Sequence, residues 1–303
     1  MKIGMRSGLD PNSLGSAHWD HAVLGTILGD GRSKAALDFA TEHAEEMHFL
    51  TYEPSTFSYT LDGQRANAPK IAEEVRAMTS GSILLEATTL RFPEILTCLR
   101  IGKETGVGSI SILYIEPEEY FSPQYRHVLH RRDFELTDEF EPFSGVPGSI
   151  IRLRDDRPIK AVFLLGYEGQ RLSRALQENS IRPSRCSVVF GIPAFQPGWE
   201  MNAFANNVET LLQLEPWKGI LYAGANNVRA AFDAIRDVYE SCDATAGERL
   251  VIVPIGTKPH AIGAALFACE YPDVGVIYDN PRRKDKRSSS MATWHRYEIT
   301  WTS

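Results

Sequence analysis

The stretch RLVIVPIGTKPHAIGAALFAC, residues 249–269, decides the fold of the second half of the chain. Its first part, Arg249–Ile255, is a short apolar run typical of a strand buried in a parallel sheet. The turn Gly256-Thr257-Lys258 follows at once, and a helix rich in small residues is predicted over Pro259–Cys269. Threonine is a favourable N-cap and proline suits the first helical turn. The stretch therefore predicts a strand–turn–helix unit of an α/β protein.

The same turn has the features of an anion site. The unpaired N–H groups and the positive end of the helix would face an anion, and Lys258 would add a full charge. Gly256 lets backbone approach a ligand closely, and His260 stands beside the turn. The spacing is not that of a Walker loop. The alternative is a well-capped turn with a solvated lysine.

Outward from this stretch, short apolar runs alternate with helical patterns in both directions. This order predicts an α/β protein with two Rossmann-like βα halves and mainly parallel sheets. Residues 121–158 interrupt the alternation, being rich in proline, glycine and charged residues. We therefore predict an N-terminal α/β domain over residues 1–150 and a C-terminal Rossmann-like ligand-binding domain over residues 151–303.

A second strand-to-helix turn, Leu164–Arg171, carries further candidate ligand-binding residues. In a parallel sheet it lies at the same edge as the Gly256 turn, where the carboxyl ends of the strands form a crevice. Gly166 allows a close approach, Glu168 could bind a ribose hydroxyl and Arg171 could hold a phosphate. Gln170 is a further candidate ligand-binding residue of this turn. The alternative is a tight turn in which Glu168 caps the helix and Arg171 pairs on the surface.

Other strand ends place polar and aromatic residues at this edge. Phe195 and Trp199 lie in a proline-stiffened loop, where they stack on a base or, as we favour, cover the core. The remaining candidate ligand-binding residues are Asn226, Tyr278, Asp279 and Arg282, the last of which begins a basic run that could close over a phosphate.

Residues 160–279 resemble the CARF domains of CRISPR-associated and related defence proteins. The likeness rests on the opening strand and turn at Leu164–Arg171, on Gly256-Thr257-Lys258, and on the closing strand that ends in Tyr278. In that family a Gly-Gly-Thr-Lys turn contacts cyclic oligonucleotide messengers, so the resemblance implies nucleotide sensing in an antiviral defence system. This chain has Pro254-Ile255 where the family usually has Thr-Gly.

Composition narrows the classes of partner. The net charge is −7, and residues 1–150 hold the acidic excess while the basic residues crowd into Arg282–Arg287. A duplex-binding surface needs extended basic coverage, so no duplex nucleic acid partner is expected. No apolar run is long enough for a membrane span, and we expect a cytoplasmic protein. The four cysteines are far apart and no histidines show ligand spacing, which predicts no metal site and no cofactor.

These patterns leave three hypotheses of function. The first is a protein that senses or binds a nucleotide or another phosphorylated small ligand in a defence or regulatory system. The second is a hydrolase or transferase acting on such a ligand, with Glu168 or Asp279 as the acid–base group; no recognisable nucleophile–base motif supports it, and no catalytic residue is assigned. The third is an adaptor that docks a basic protein partner through its acidic N-terminal half. The sequence is also compatible with a homodimer.

Overall fold

The computed structural model describes residues 1–78, 81–120, 134, 136–151, 158–214, 219–284 and 288–301. The chain divides into two compact units. The first unit comprises Met1–Tyr120 together with Asp285–Ser303, and the second comprises Phe121–Lys284. This division differs from the expected one because the C-terminal strand joins the first unit. The region predicted as an irregular connection lies in part outside the described residues.

The first unit is built on one mixed sheet of eight strands. Its strands are β1 (Lys2–Gly8), β2 (Trp19–Leu24), β3 (Ala44–Glu53), β4 (Ser58–Leu61), β5 (Gln64–Ala66), β6 (Ile83–Glu86), β7 (Ser109–Tyr120) and β16 (Ser288–Thr300). Its helices are α1 (Gly31–His43), α2 (Ala68–Met78) and α3 (Phe92–Thr105). The sheet order is β1-β16-β7-β6-β2-β3-β4-β5, in which β7, β6, β2 and β3 are parallel and the flanking strands are antiparallel.

Local sequence explains the central elements of this unit. The run Ile83–Leu85 is fully buried, as expected for a strand covered on both faces. The helix α3 begins with Phe92 and Pro93, where the missing N–H of proline costs nothing, and ends at Gly106 in the left-handed conformation. The alternation of short apolar strands and helices that the sequence predicts is present at these elements.

The second unit contains a six-stranded sheet in which five strands are parallel. The strands of this unit are β8 (Thr137–Glu139), β9 (Ser144–Gly145), β10 (Ile159–Leu164), β11 (Cys186–Gly191), β12 (Ile220–Ala223), β13 (Arg249–Pro254), β14 (Gly275–Tyr278) and β15 (Arg282–Arg283). The helices are α4 (Gln170–Glu178), α5 (Trp199–Leu211), α6 (Val228–Glu240) and α7 (Lys258–Glu270). The order β12-β11-β10-β13-β14 becomes 3-2-1-4-5 when the parallel strands are numbered along the chain, and β9 adds an antiparallel edge.

The helix α7 owes its central position to its small residues. A Cβ atom on Gly263 would lie 2.7 Å from the carbonyl oxygen of Val228, so the glycine permits close packing of α7 on α6. All residues of α7 from Pro259 to Cys269 are buried.

Both units combine a sheet with helices, which confirms the α/β class. The Rossmann-like character of both halves stays a prediction.

Candidate functional site

The candidate site lies at the carboxyl edge of the parallel sheet in the second unit. The chain turns there from β10 into α4 and from β13 into α7, and β10 and β13 are neighbours in the sheet. From β10 the connections first lead to β11 and β12 on one side and then to β13 and β14 on the other. Such a reversal opens a crevice at the strand ends, because consecutive helices pack on opposite faces.

The glycines of the two turns bring the turns against each other. A Cβ atom on Gly166 would lie 2.7 Å from the carbonyl oxygen of Ile255, and one on Gly256 would lie 2.8 Å from that of Leu165. Any larger residue would separate the turns. The sequence analysis expected a ligand to approach Gly256 closely. On the side where a Cβ atom of Gly256 would lie, the close neighbour is protein backbone.

The start of α7 is capped as the sequence predicts. The Oγ1 atom of Thr257 accepts a hydrogen bond from the N–H of His260 at 3.4 Å. The same hydroxyl donates to the carbonyl oxygen of Ala225 at 2.7 Å, which ties the turn to the loop after β12. Lys258, the first residue of the helix, is half-buried.

His260 lies wholly inside the protein, beneath the ends of two strands. Its Nε2 atom faces the carbonyl oxygens of Gly224 at 3.0 Å and Ala223 at 3.3 Å, so this nitrogen carries the proton. Burial lowers the pKa of the imidazole to about 4, which keeps the ring neutral at pH 7. Its Nδ1 atom is then a bare acceptor, and it has no hydrogen-bond partner within the described part of the chain.

Arg171 and Asp279 form a buried ion pair. The guanidinium donates to both carboxylate oxygens, at 2.8 Å from Nε and 2.5 Å from Nη2, and also to the carbonyl oxygen of Ile255 at 3.0 Å. The pair joins α4 to the ends of β13 and β14. The phosphate contact predicted for Arg171 and the acid–base role considered for Asp279 would each require this pair to open.

The other predicted residues of the β10–α4 turn differ in exposure. Glu168 is half-buried and accepts a hydrogen bond from Thr137 at 3.1 Å. Burial raises the pKa of its carboxyl group. Gln170 is exposed at the first position of α4. Glu168 does not cap this helix, since Gly169 is its N-cap and makes no side-chain bond.

The remaining candidates are spread along the edge. Asn226 is half-buried, and its neighbour Asn227 caps α6 by accepting from the N–H of Ala230 at 2.9 Å. Tyr278 is buried, with its ring centroid 5.9 Å from the guanidinium carbon of Arg171. Arg282 is exposed in β15 and forms a surface ion pair with Glu139 at 3.0 Å. The residues 285–287 of the predicted basic flap lie outside the described part.

The sequence missed Asn280, which directly follows β14. This residue is 3% exposed and has a φ of 38°, a left-handed backbone that asparagine tolerates. Its Oδ1 atom is buried and lacks a partner among the residues that the structure describes. A buried, unpaired amide oxygen at a strand end is a polar group that a ligand can satisfy.

One of the two aromatic residues of the proline-stiffened loop, Trp199, has the role that the sequence favours, while Phe195 is half-buried. Trp199 is 3% exposed and makes edge-on contacts with Phe134 and Tyr167, at 5.0 Å and 5.7 Å between ring centroids. It covers the core and does not form a stacking platform.

Two further features lie away from this edge. A cleft of about 390 Å³ opens at the amino ends of β10, β11 and β12, lined among others by Lys160 and Arg185. In the first unit, His21, Glu46 and His48 form a group of side chains that could hold a metal ion. The sequence analysis missed this group: Glu46 and His48 stand two residues apart on β3 and so face the same side of the sheet.

No protein-family model matches the chain, and no curated protein sequence matches it significantly. No helix within the described ranges has both the length and the apolar character needed to cross a bilayer.

Proposed function

We propose that the second unit binds a small phosphorylated ligand that also carries hydroxyl groups, such as a nucleotide, at the carboxyl edge of its parallel sheet. The observation that carries the proposal is a pair of buried acceptors without partners, His260 Nδ1 and Asn280 Oδ1, located in the first turn of α7 and just after β14. Each can accept a hydrogen bond from a ligand hydroxyl or amino group, or from a water molecule that a ligand displaces.

The positive charge at the start of α7 provides the second part of the proposed site, the part that binds the phosphate. The helix dipole and the charge of Lys258 favour an anion there. A ribose or polyol phosphate combines both features, because its phosphate suits the helix end and its hydroxyls donate to neutral acceptors. The strand order 3-2-1-4-5 supports this site, since Rossmann-type sheets bind nucleotides at the same reversal of order.

The pattern of donors and acceptors separates this proposal from a plain anion site. Inorganic phosphate at neutral pH is chiefly an acceptor and leaves His260 and Asn280 without donors. The hydroxyl groups of a nucleoside phosphate can donate to acceptors of this kind. We therefore expect nucleotides or sugar phosphates to bind more tightly than inorganic phosphate.

The test is thermal denaturation of the full chain with ATP, AMP, cyclic oligonucleotides, ribose 5-phosphate and inorganic phosphate. A ligand at 100 times its dissociation constant adds about 2.7 kcal/mol to the free energy of unfolding. Lys258→Ala is expected to weaken the response, whereas Lys34→Ala, on an exposed position of α1, leaves it unchanged. Asn280→Gly also weakens it without loss of the fold, because glycine accepts the positive φ.

The outcomes decide between the hypotheses of function. Failure of every ligand to stabilise the chain, or an equal response in Lys258→Ala and Lys34→Ala, overturns the proposal. Consumption of the bound ligand, followed by chromatography, would show an enzyme of the hydrolase or transferase type. Stable co-purification with a protein partner and no ligand response would favour the adaptor hypothesis.

A further inference from the structure

Two neighbouring strands of the first unit bring two histidines and a carboxylate to one face of the sheet. The strands β2 and β3 are parallel, and His21 lies directly opposite Glu46 in their register. His48 follows Glu46 by two residues on β3, so its side chain leaves the sheet on the same side. The cluster rests on the regular geometry of two paired strands, without a flexible loop.

The distances within the cluster match a bound transition-metal ion. His21 Nδ1 lies 3.3 Å from His48 Nε2 and 3.5 Å from Glu46 Oε2, and His48 Nε2 lies 3.8 Å from the same oxygen. The point equidistant from the three atoms is about 2.1 Å from each, and zinc bonds to imidazole nitrogen and carboxylate oxygen are roughly 2.0–2.2 Å long. An ion placed there needs little movement of the side chains.

A fourth residue holds one of the histidines in the form that binds metal. His48 Nδ1 lies 3.0 Å from Asp62 Oδ2, a carboxylate that can only accept, so this nitrogen carries the proton. The lone pair of His48 is therefore on Nε2, which faces the cluster. Asp62 is itself fixed, because its Oδ1 accepts from the N–H of Phe49 at 2.7 Å and its own N–H donates to the carbonyl oxygen of Phe49 at 3.0 Å.

This carboxylate–histidine arrangement is the usual support of a metal-binding imidazole. We propose that His21, Glu46 and His48 bind a divalent transition-metal ion, with Asp62 as the positioning residue. Two imidazoles and one carboxylate favour Zn²⁺ or Fe²⁺ over Mg²⁺ or Ca²⁺, which prefer oxygen. The histidine side chains are 18% and 17% exposed and the glutamate side chain 66%.

Three protein ligands at a site open on one side leave a coordination position for water or a substrate. Structural zinc sites usually have four protein ligands, whereas three ligands with an open position are the pattern of catalytic sites. The proposal concerns the first unit alone and does not rest on the proposed ligand site of the second unit.

The experiment measures metal binding by the full-length chain. The protein is stripped with a chelator and titrated with Zn²⁺ in competition with a chromophoric chelator, and with Co²⁺ to record the visible spectrum. We expect about one ion per chain and intense Co²⁺ bands of a four- or five-coordinate site with nitrogen and oxygen ligands.

The variants separate ligands from their surroundings. His21→Gln and His48→Gln are expected to lose the Co²⁺ bands. Asp62→Asn retains an acceptor for Phe49 but presents an amide to His48, and it is expected to weaken binding by about 10- to 100-fold. His18→Gln is the matched control, since its side chain is 59% exposed and it lies outside the cluster. Circular dichroism confirms that each variant folds.

Two results would overturn the proposal. One is the absence of stoichiometric binding by the folded wild-type chain, which would leave the short contact between His21 and His48 as an ordinary hydrogen bond. The other is binding that His18→Gln weakens as much as His21→Gln does, which would place the ion elsewhere.

Discussion

Replacing Asp279 by asparagine should destabilise the second unit strongly, because the change leaves a buried guanidinium without its counter-charge. The side chains of Arg171 and Asp279 are 8% and 0% exposed. Breaking a buried ion pair by removing one partner costs about 3–5 kcal/mol. In a unit of this size each kcal/mol lowers the melting temperature by about 2–4 °C, so Asp279→Asn should lower it by roughly 6–20 °C.

The matched control breaks an exposed pair with the same kind of substitution. Arg282 and Glu139 are 3.0 Å apart, with side chains 68% and 65% exposed, so Glu139→Gln should cost at most about 1 kcal/mol. Urea unfolding followed by circular dichroism measures both variants. The double variant Arg171→Met with Asp279→Leu removes both charges and should recover much of the loss. Equal effects of Asp279→Asn and Glu139→Gln would refute the reasoning.

Three further predictions concern titratable groups. Burial lowers the pKa of His260 to about 4. The imidazole is therefore protonated in the unfolded chain but not in the folded chain between pH 6.5 and about 4, and the free energy of unfolding decreases as the pH falls through this range. Urea unfolding of His260→Phe should lack this loss, which amounts to roughly 3 kcal/mol. Burial raises the pKa of Glu168, so its carboxyl group stabilises the folded state when protonated. This stabilisation is complete below pH 4.5 and is lost as the pH rises through the folded pKa, the opposite direction to His260. Urea unfolding of Glu168→Gln should lack that loss. Burial also raises the pKa of Cys98 and of Cys186 to about 12, and iodoacetamide at pH 7.5 should label these two thiols in urea but hardly at all in the folded protein, as mass spectrometry can show.

The βα order of the second unit could be predicted because its strands are short, continuous apolar runs. A strand such as Leu250–Val253 is buried on both faces, and its composition alone distinguishes it from the polar turns beside it. The cap at Thr257 and the proline after Lys258 mark the helix start by local chemistry, which needs no knowledge of the rest of the fold. Local signals of this kind are sufficient to predict which segments form strands and helices, and at which edge of the sheet the two turns lie.

The strands of the first unit that carry polar residues gave no such signal. The strand β1 is largely exposed, and β16 mixes exposed positions with buried Trp294, His295 and Tyr297. The sequence assigned residues 285–303 to the second half because they follow it directly. Only long-range pairing with β1 and β7 places β16 in the first unit, and no local pattern encodes that pairing.

Glu116 shows how pairing changes the chemistry of a residue. It is 3% exposed on β7 and lies 2.6 Å from His295 Nε2, whose Nδ1 lies 2.7 Å from the hydroxyl of Ser7. This chain of hydrogen bonds crosses three adjacent strands. Its members are 179 and 288 positions apart in sequence, so spacing could not reveal them.

The same physical reason explains why the sequence revealed neither the His21–Glu46–His48 group nor the ion pair of Arg171. Arg171 meets Asp279 across 108 positions, and His21 meets His48 across 27, in each case because strand order brings their elements together. A turn sequence can show that an arginine stands near a predicted crevice, but whether its charge faces a ligand or a carboxylate depends on which strand end is its neighbour. Conversely, Glu46 and His48 are unremarkable on one strand and become a ligand pair only when β2 supplies His21 in register. Candidate sites read from single turns are therefore least secure where a buried partner of opposite charge is available at the next strand.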